Sequence, residues 1–167
     1  MENYQNLVEL LKAEKLTIAT AESCTGGLIA KLITDIPGSS DVFIGGVVSY
    51  SNQMKMNWLG VKQETLDSFG AVSENTVSEM LDGILKQTGS DLGIAVSGIA
   101  GPSGGTLEKP VGTVYIGVAF HDQKKIIKCF FEGSREDVRM ASAEKGAEMI
   151  GKIIRLKSQQ LSLARDD

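Results

Sequence analysis

The sequence holds 167 residues, 42% hydrophobic and 23% charged, which suits one globular domain and excludes a disordered chain. The formal charge of −4 argues against nucleic acid as the main partner, because tracking phosphates takes a net basic face. Two distant cysteines, Cys24 and Cys129, and one histidine, His121, exclude a disulfide framework and give no ligand-pair spacing for zinc, so no metal is expected and a reducing compartment fits.

Along the chain, Tyr4, Leu7, Val8 and Leu11 fall at helical spacing and predict an amphipathic helix over 2–14. Residues 16–21 are short, apolar and β-branched, a buried strand. The strand leads into Glu22-Ser23-Cys24-Thr25-Gly26-Gly27, and a helix follows until Pro37-Gly38 stops it. Residues 42–51 read as a strand, whose internal Gly45-Gly46 predicts a bulge or a close backbone approach. Short helices follow near 52–59 and 62–69, then a longer one over 74–87 with Ser73 as its N-cap. Residues 92–97 form another buried strand, ending in a loop from Gly98 to Gly105. Residues 111–120 and 124–131 read as a hairpin turning at His121-Asp122-Gln123. A long helix over 134–157 closes the domain, and 158–167 reads as a frayed tail. Nothing resembles a signal peptide, and no run of 18 apolar residues spans a membrane. Alternating strands and helices make an α/β layered domain, and the hairpin makes its sheet mixed. Both glycine-rich turns follow buried strands, so both are expected at the sheet edge where such folds bind ligands.

A hydroxyl at a strand end before a helix faces free backbone amides, which suit an anion or a developing oxyanion. Ser23 is thus a candidate acyl-transfer nucleophile, although Ser23 or Thr25 equally suits a helix cap. Cys24 is the rival nucleophile, with a small buried apolar role as its ordinary reading. A serine nucleophile needs a base. His121 falls in a turn, which leaves a lysine or a carboxylate. Lys55 lies just past a strand end, where a solvated lysine is the ordinary role, and a partly buried one would have a lowered pKa. Glu22 is the next candidate. The Gly98–Gly105 loop lacks the Gly-Lys-Ser/Thr of a Walker motif, yet its small residues suit a backbone cradle for phosphate. Arg135 could fork onto a phosphate or be merely solvated.

In order, Thr20-Ala21-Glu22-Ser23-Cys24-Thr25-Gly26-Gly27, Tyr50-Ser51-Asn52 with Lys55, Leu59-Gly60-Val61, Gly98-Ile99-Ala100-Gly101-Pro102, Pro110-Val111-Gly112-Thr113-Val114 and Arg135 resemble the CinA C-terminal domain family over roughly 4–157. Characterised members of that family are nicotinamide-nucleotide amidases. The resemblance implies a three-layer α/β/α sandwich with a mixed, mostly parallel sheet, formed by a single domain over 1–157. It implies hydrolysis of nicotinamide mononucleotide to nicotinate mononucleotide and ammonia, without cofactor or metal, in the cytoplasm. Ser23 would be the nucleophile and Lys55 its base, with Tyr50 near the pair. Thr25, Gly26, Gly27, Ser97, Gly98, Ala100, Gly101 and Arg135 would bind the nucleotide. Nicotinamide mononucleotide is the expected small-molecule partner, with no nucleic acid and no membrane, and a homo-oligomer is compatible with this reading. Two residues depart from the family pattern: Ser97 stands where threonine is expected, and Ser134 where aspartate is expected before Arg135. Many relatives carry an N-terminal domain linked to nucleotide pyrophosphatase activity, for which this sequence has no room. A non-catalytic module that senses a nucleotide with the same loops is the alternative, and it would not need a neutral lysine beside Ser23.

Overall fold

The computed structural model describes residues 3–163, with side chains through Lys157. The elements are α1 (Tyr4–Glu14), β1 (Ile18–Glu22), α2 (Leu28–Thr34), a single 3-10 turn, β2 (Phe43–Val48), α3 (Asn52–Leu59), α4 (Gln63–Phe69), α5 (Glu74–Thr88), β3 (Leu92–Gly98), β4 (Thr113–Phe120), β5 (Gln123–Phe130) and α6 (Arg135–Leu163). The helix starts follow local chemistry. Asn3, Ser51 and Ser73 cap α1, α3 and α5 by accepting the amides of Asn6, Met54 and Thr76.

The strands lie in the order β2-β1-β3-β4-β5, with the first two pairings parallel and the last two antiparallel. Four strands therefore run one way and β4 runs against them, a mixed and mostly parallel sheet. Its two faces differ in side-chain size. Ile18, Leu92, Ile94, Val96, Val114, Ile116 and Val118 point to α1, α2 and α6 and form the larger core. Ala19, Ala21, Ala95 and Ala119 point to α3, α4 and α5. The result is the α/β/α sandwich. Each large aliphatic residue fully buried in it contributes about 1.5–3 kcal/mol.

The small residues on the second face let α5 lie close to the sheet. A β-carbon on Gly117 would come within 2.7 Å of Val77 and 2.8 Å of Leu81. Gly83 marks a close approach between α5 and α3, since a β-carbon there would lie 2.0 Å from the Leu59 carbonyl oxygen. By helix propensity alone Gly83→Ala would gain up to about 1 kcal/mol. The clash is with backbone and outweighs this, so Gly83→Ala is expected to destabilise the fold by about 1–3 kcal/mol in urea melts. A neutral or stabilising result would contradict the close packing of α3 on α5.

The predicted elements appear with small shifts. Gly45-Gly46 serves both expected purposes. The β1–β2 register slips between Ile18/Phe43 and Ala19/Gly45, and a β-carbon on Gly46 would fall 2.1 Å from the Thr20 hydroxyl oxygen. Helix α6 continues to Leu163, beyond the predicted end at 157, because no glycine or proline interrupts the stretch after 157. The rest of the predicted tail, 164–167, lies outside the described residues, as does the first residue of the predicted 2–14 helix. His121 adopts φ 53 in the two-residue turn between β4 and β5. Phe120 pairs with Leu92 at the start of β3, so this turn lies at the opposite end of that seven-residue strand from Gly98, about 20 Å away. No helix among the described residues is long and apolar enough to cross a membrane.

Candidate active site

Glu22 ends β1 in register with Val48 of β2 on one side and Val96 of β3 on the other. The turns after these three parallel strands therefore open on one sheet edge. The chain leaves β1 toward β2 on one flank and returns to β3 on the other, so the turn carrying Ser23 sits at a topological switch point. The Ser23 amide donates to the Val96 carbonyl at 3.0 Å, pinning the turn to β3.

Helix α3 delivers the second group. Ser51 starts it and Gly60, at φ 69, ends it, which puts Lys55 in its first turns over the ends of β1 and β2. Lys55 is 1% exposed. Its Nζ donates to Ser23 Oγ at 2.9 Å and to the Ser49 carbonyl at 2.8 Å. Among the described residues, no carboxylate pairs with it. Burial therefore disfavours the ammonium and lowers the Lys55 pKa to about 8. Beside it, Cys24 is buried in the larger core, and burial pushes its thiol up to about 12. It remains protonated at neutral pH and is a poor nucleophile.

Glu22, read from sequence as the fallback base, has another task. Its carboxylate accepts the amides of Gly27 at 3.1 Å, Ile29 at 3.0 Å and Ala30 at 2.8 Å. It caps α2, whose N-cap residue is Gly27 with no side chain to do so. The expectation that these amides would be free for an anion is thereby corrected: Glu22 takes them, while the Lys55 shift comes from burial, as expected for a partly buried lysine.

A cavity of about 270 Å³ opens beside the pair, at the small end of ligand sites. Ser23, Lys55, Tyr50, Ser97, Gly98, Ala100, Gly101 and Arg135 all line it. Thr25, Gly26 and Gly27 do not. Thr25 is fully buried with no partner for its hydroxyl among the described residues, and Gly26 and Gly27 turn the chain at φ 60 and 91. Arg135 donates through Nη1 to the Gly101 carbonyl and through Nη2 to the Tyr50 hydroxyl, both at 2.7 Å. The Tyr50 hydroxyl thus takes its hydrogen bond from Arg135, and Tyr50 lines the same cavity as the Ser23–Lys55 pair. Ser97 donates to the Ala71 carbonyl at 2.7 Å and holds Ala71 and Val72 against the cavity. Asn52, which belongs to the Tyr50-Ser51-Asn52 block but has no role expected from sequence, also lines the cavity, as do Ala71 and Val72, which no short motif marks. Larger grooves of about 960 and 520 Å³ run along α6, lined largely by surface side chains, among them Lys145, which is ion-paired with Glu148. Among the described residues, no three His, Cys, Asp or Glu side chains cluster as a metal site needs.

Comparison with known proteins then assigns the family. A family model described as the CinA C-terminal domain matches residues 2–154. The chain belongs to the CinA C-terminal domain family. A CinA-like protein of Thermotoga neapolitana is 51% identical over 146 residues, covering 87% of this chain and 36% of that protein. The chain therefore spans about a third of the length of the curated relatives it matches. The crystal structure of a competence-damaged protein (CinA) superfamily protein from Klebsiella pneumoniae is 36% identical with a TM-score of 0.88, covering 91% of this chain and 95% of that one. The competence/damage inducible protein CihA of Agrobacterium tumefaciens is 38% identical with a TM-score of 0.83, covering 88% and 93%. Ser134, where an aspartate was expected, has a clear local role. Ser134 Oγ accepts the Asp137 amide at 3.2 Å while the Asp137 carboxylate accepts the Ser134 amide at 2.8 Å, a reciprocal cap on α6. Serine thus starts the helix as an aspartate would, and Arg135 takes its partners from Gly101 and Tyr50 instead.

Proposed function

We propose that this CinA domain is an amidohydrolase that converts nicotinamide mononucleotide and water to nicotinate mononucleotide and ammonia. The observation that carries this reading is a buried lysine amine 2.9 Å from a serine hydroxyl, with its pKa lowered to about 8. Nucleotide recognition alone gives no reason to bury a lysine without a carboxylate. A base for a serine nucleophile needs a neutral amine at that distance.

The Ser49 carbonyl takes one N–H of the neutral amine and leaves its lone pair for the Ser23 hydroxyl. Ser23 Oγ attacks the carboxamide carbon while its proton passes to Lys55 Nζ. The resulting tetrahedral adduct collapses with that proton going to the leaving nitrogen, which departs as ammonia and leaves an ester on Ser23. Water then attacks the ester and gives its proton to Lys55. Collapse returns that proton to Ser23 Oγ and frees the carboxylic acid. One water is consumed per ammonia, and no electrons are exchanged. The same reading takes the protein to be cytoplasmic, in line with its two free cysteines.

For the nucleotide's phosphate, Arg135 offers the guanidinium N–H groups not used by Gly101 and Tyr50, beside the small-residue loop that follows β3. Arg135→Ala is expected to lower kcat/KM for the nucleotide by about tenfold or more and to change that for free nicotinamide far less. Equal losses on both substrates would remove Arg135 from the phosphate. The reading as a whole is tested by measuring ammonia release from nicotinamide mononucleotide. Stoichiometric ammonia and nicotinate mononucleotide are expected, and binding without release would leave a nucleotide-sensing module.

A further inference from the structure

Arg139 lies one helical turn beyond Arg135 on α6, and no sequence motif marks it. Its guanidinium donates to the Thr25 carbonyl through Nη2 at 2.8 Å and through Nε at 3.3 Å. The same oxygen accepts the Leu28 amide at 3.1 Å. Thr25 is two residues past Ser23, in a turn whose next two residues are left-handed glycines. A β-carbon on Gly26 would stand 3.6 Å from Arg139 Nη2, so the guanidinium lies directly against the turn. The other backbone bonds of this turn come from within it, from the Glu22 carboxylate, from α2 or from the neighbouring strand β3, while Lys55 of α3 reaches only the Ser23 side chain. Arg139 ties it to a separate helix.

We propose that Arg139 is a positioning residue for Ser23, holding the nucleophile turn from α6 so that Oγ stays in line with Lys55 Nζ. The proposal rests on reading the site as a Ser–Lys hydrolase. Two successive glycines make the turn conformationally soft, and proton transfer at 2.9 Å tolerates little drift. The fork geometry matters, because two guanidinium donors fix the direction of the carbonyl where a single ammonium would not. The same helix end also carries Arg135, which holds the Gly101 carbonyl on the β3 side of the cavity. The first turns of α6 therefore set the nucleophile turn and the loop after β3 together. Burial, not Arg139, lowers the Lys55 pKa, so loss of Arg139 disturbs alignment without moving that titration.

The test uses Arg139→Met and Arg139→Lys in the full chain. It reads ammonia release from nicotinamide mononucleotide and, separately, the rate at which a fluorophosphonate labels Ser23. For folded Arg139→Met, kcat is expected to fall about 10–100-fold, with KM within about threefold and the pH limb unmoved. Labelling of Ser23 should slow in parallel, and added guanidinium, well below denaturing concentrations, should restore part of both rates. If Arg139→Met does not fold, Arg139→Lys is read by the same criteria. A kcat within about twofold of wild type overturns the proposal. So does a loss confined to KM, or a lowered melting temperature with no guanidinium rescue, which would make the contact merely structural. If the wild-type protein releases no ammonia, the amidase reading falls, and the Ser23 labelling rates with their rescue still decide the role of Arg139.

Discussion

Ser23→Ala is expected to cut ammonia release from nicotinamide mononucleotide by about 10³-fold or more, while Cys24→Ala keeps most of it. The two side chains are neighbours in one turn, and their surroundings separate them. Ser23 Oγ has a lysine amine at 2.9 Å. Cys24 also borders the cavity, but it packs against the larger core, and burial pushes its thiol up to about 12, so it stays protonated at pH 7. Removing the hydroxyl removes the attacking atom and the partner of Lys55 together. The opposite pattern, an active Ser23→Ala and an inactive Cys24→Ala, would move the nucleophile to sulfur.

Lys55→Arg should be nearly as damaging, with the protein still folded. With a pKa of about 8, roughly one Lys55 in ten is neutral at pH 7, against about one in 2,500 for a lysine in water. Arginine keeps a positive charge and does not deprotonate in this range. The sign of the pH dependence follows from which form works. The neutral amine is the base, so wild-type kcat/KM should rise with pH, pass half of its limit near pH 8 and level off above it. A falling profile over the same range would mean that the ammonium is the working form. Substantial activity in Lys55→Arg would make Lys55 a binding group, and Glu22 could not simply replace it as base, because its oxygens are committed to three amides of α2.

The elements that carried explicit signals were legible in the chain. Ser51 and Gly60 bracket α3, and Gly45-Gly46 announced both the register slip and the close pass at Thr20. Two buried strands ending in glycine-rich turns pointed to a single sheet edge. The packing of small residues on one sheet face is also written as alternation, Ala19 and Ala21 against Ile18, and Ala95 against Ile94 and Val96. What sequence left open depends on pairings between distant segments. Ser23 and Lys55 are 32 residues apart and meet only because β1 and β2 are adjacent and parallel. Arg139 contacts a backbone carbonyl 114 residues away, and a carbonyl contact leaves no residue-type signature at its partner. Glu22 illustrates a missed cue: a carboxylate before Gly26-Gly27, with no capping side chain at the helix start, is the group available to cap α2. The end of α6 lies beyond the predicted 157 because apolar spacing fades before helical backbone does.

The central claim is that Ser23, activated by Lys55, forms a covalent acyl intermediate. The most direct measurement is rapid acid quench of the protein turning over nicotinamide mononucleotide, followed by mass spectrometry of the peptide containing Ser23. Ser23 should carry the mass of nicotinate mononucleotide less water, and the adduct should be absent in Ser23→Ala. Because its decay depends on the same base, the adduct should form and decay more slowly as pH falls below about 8. Sustained ammonia release with Ser23 unmodified at every quench time, and persisting in Ser23→Ala, would contradict the account.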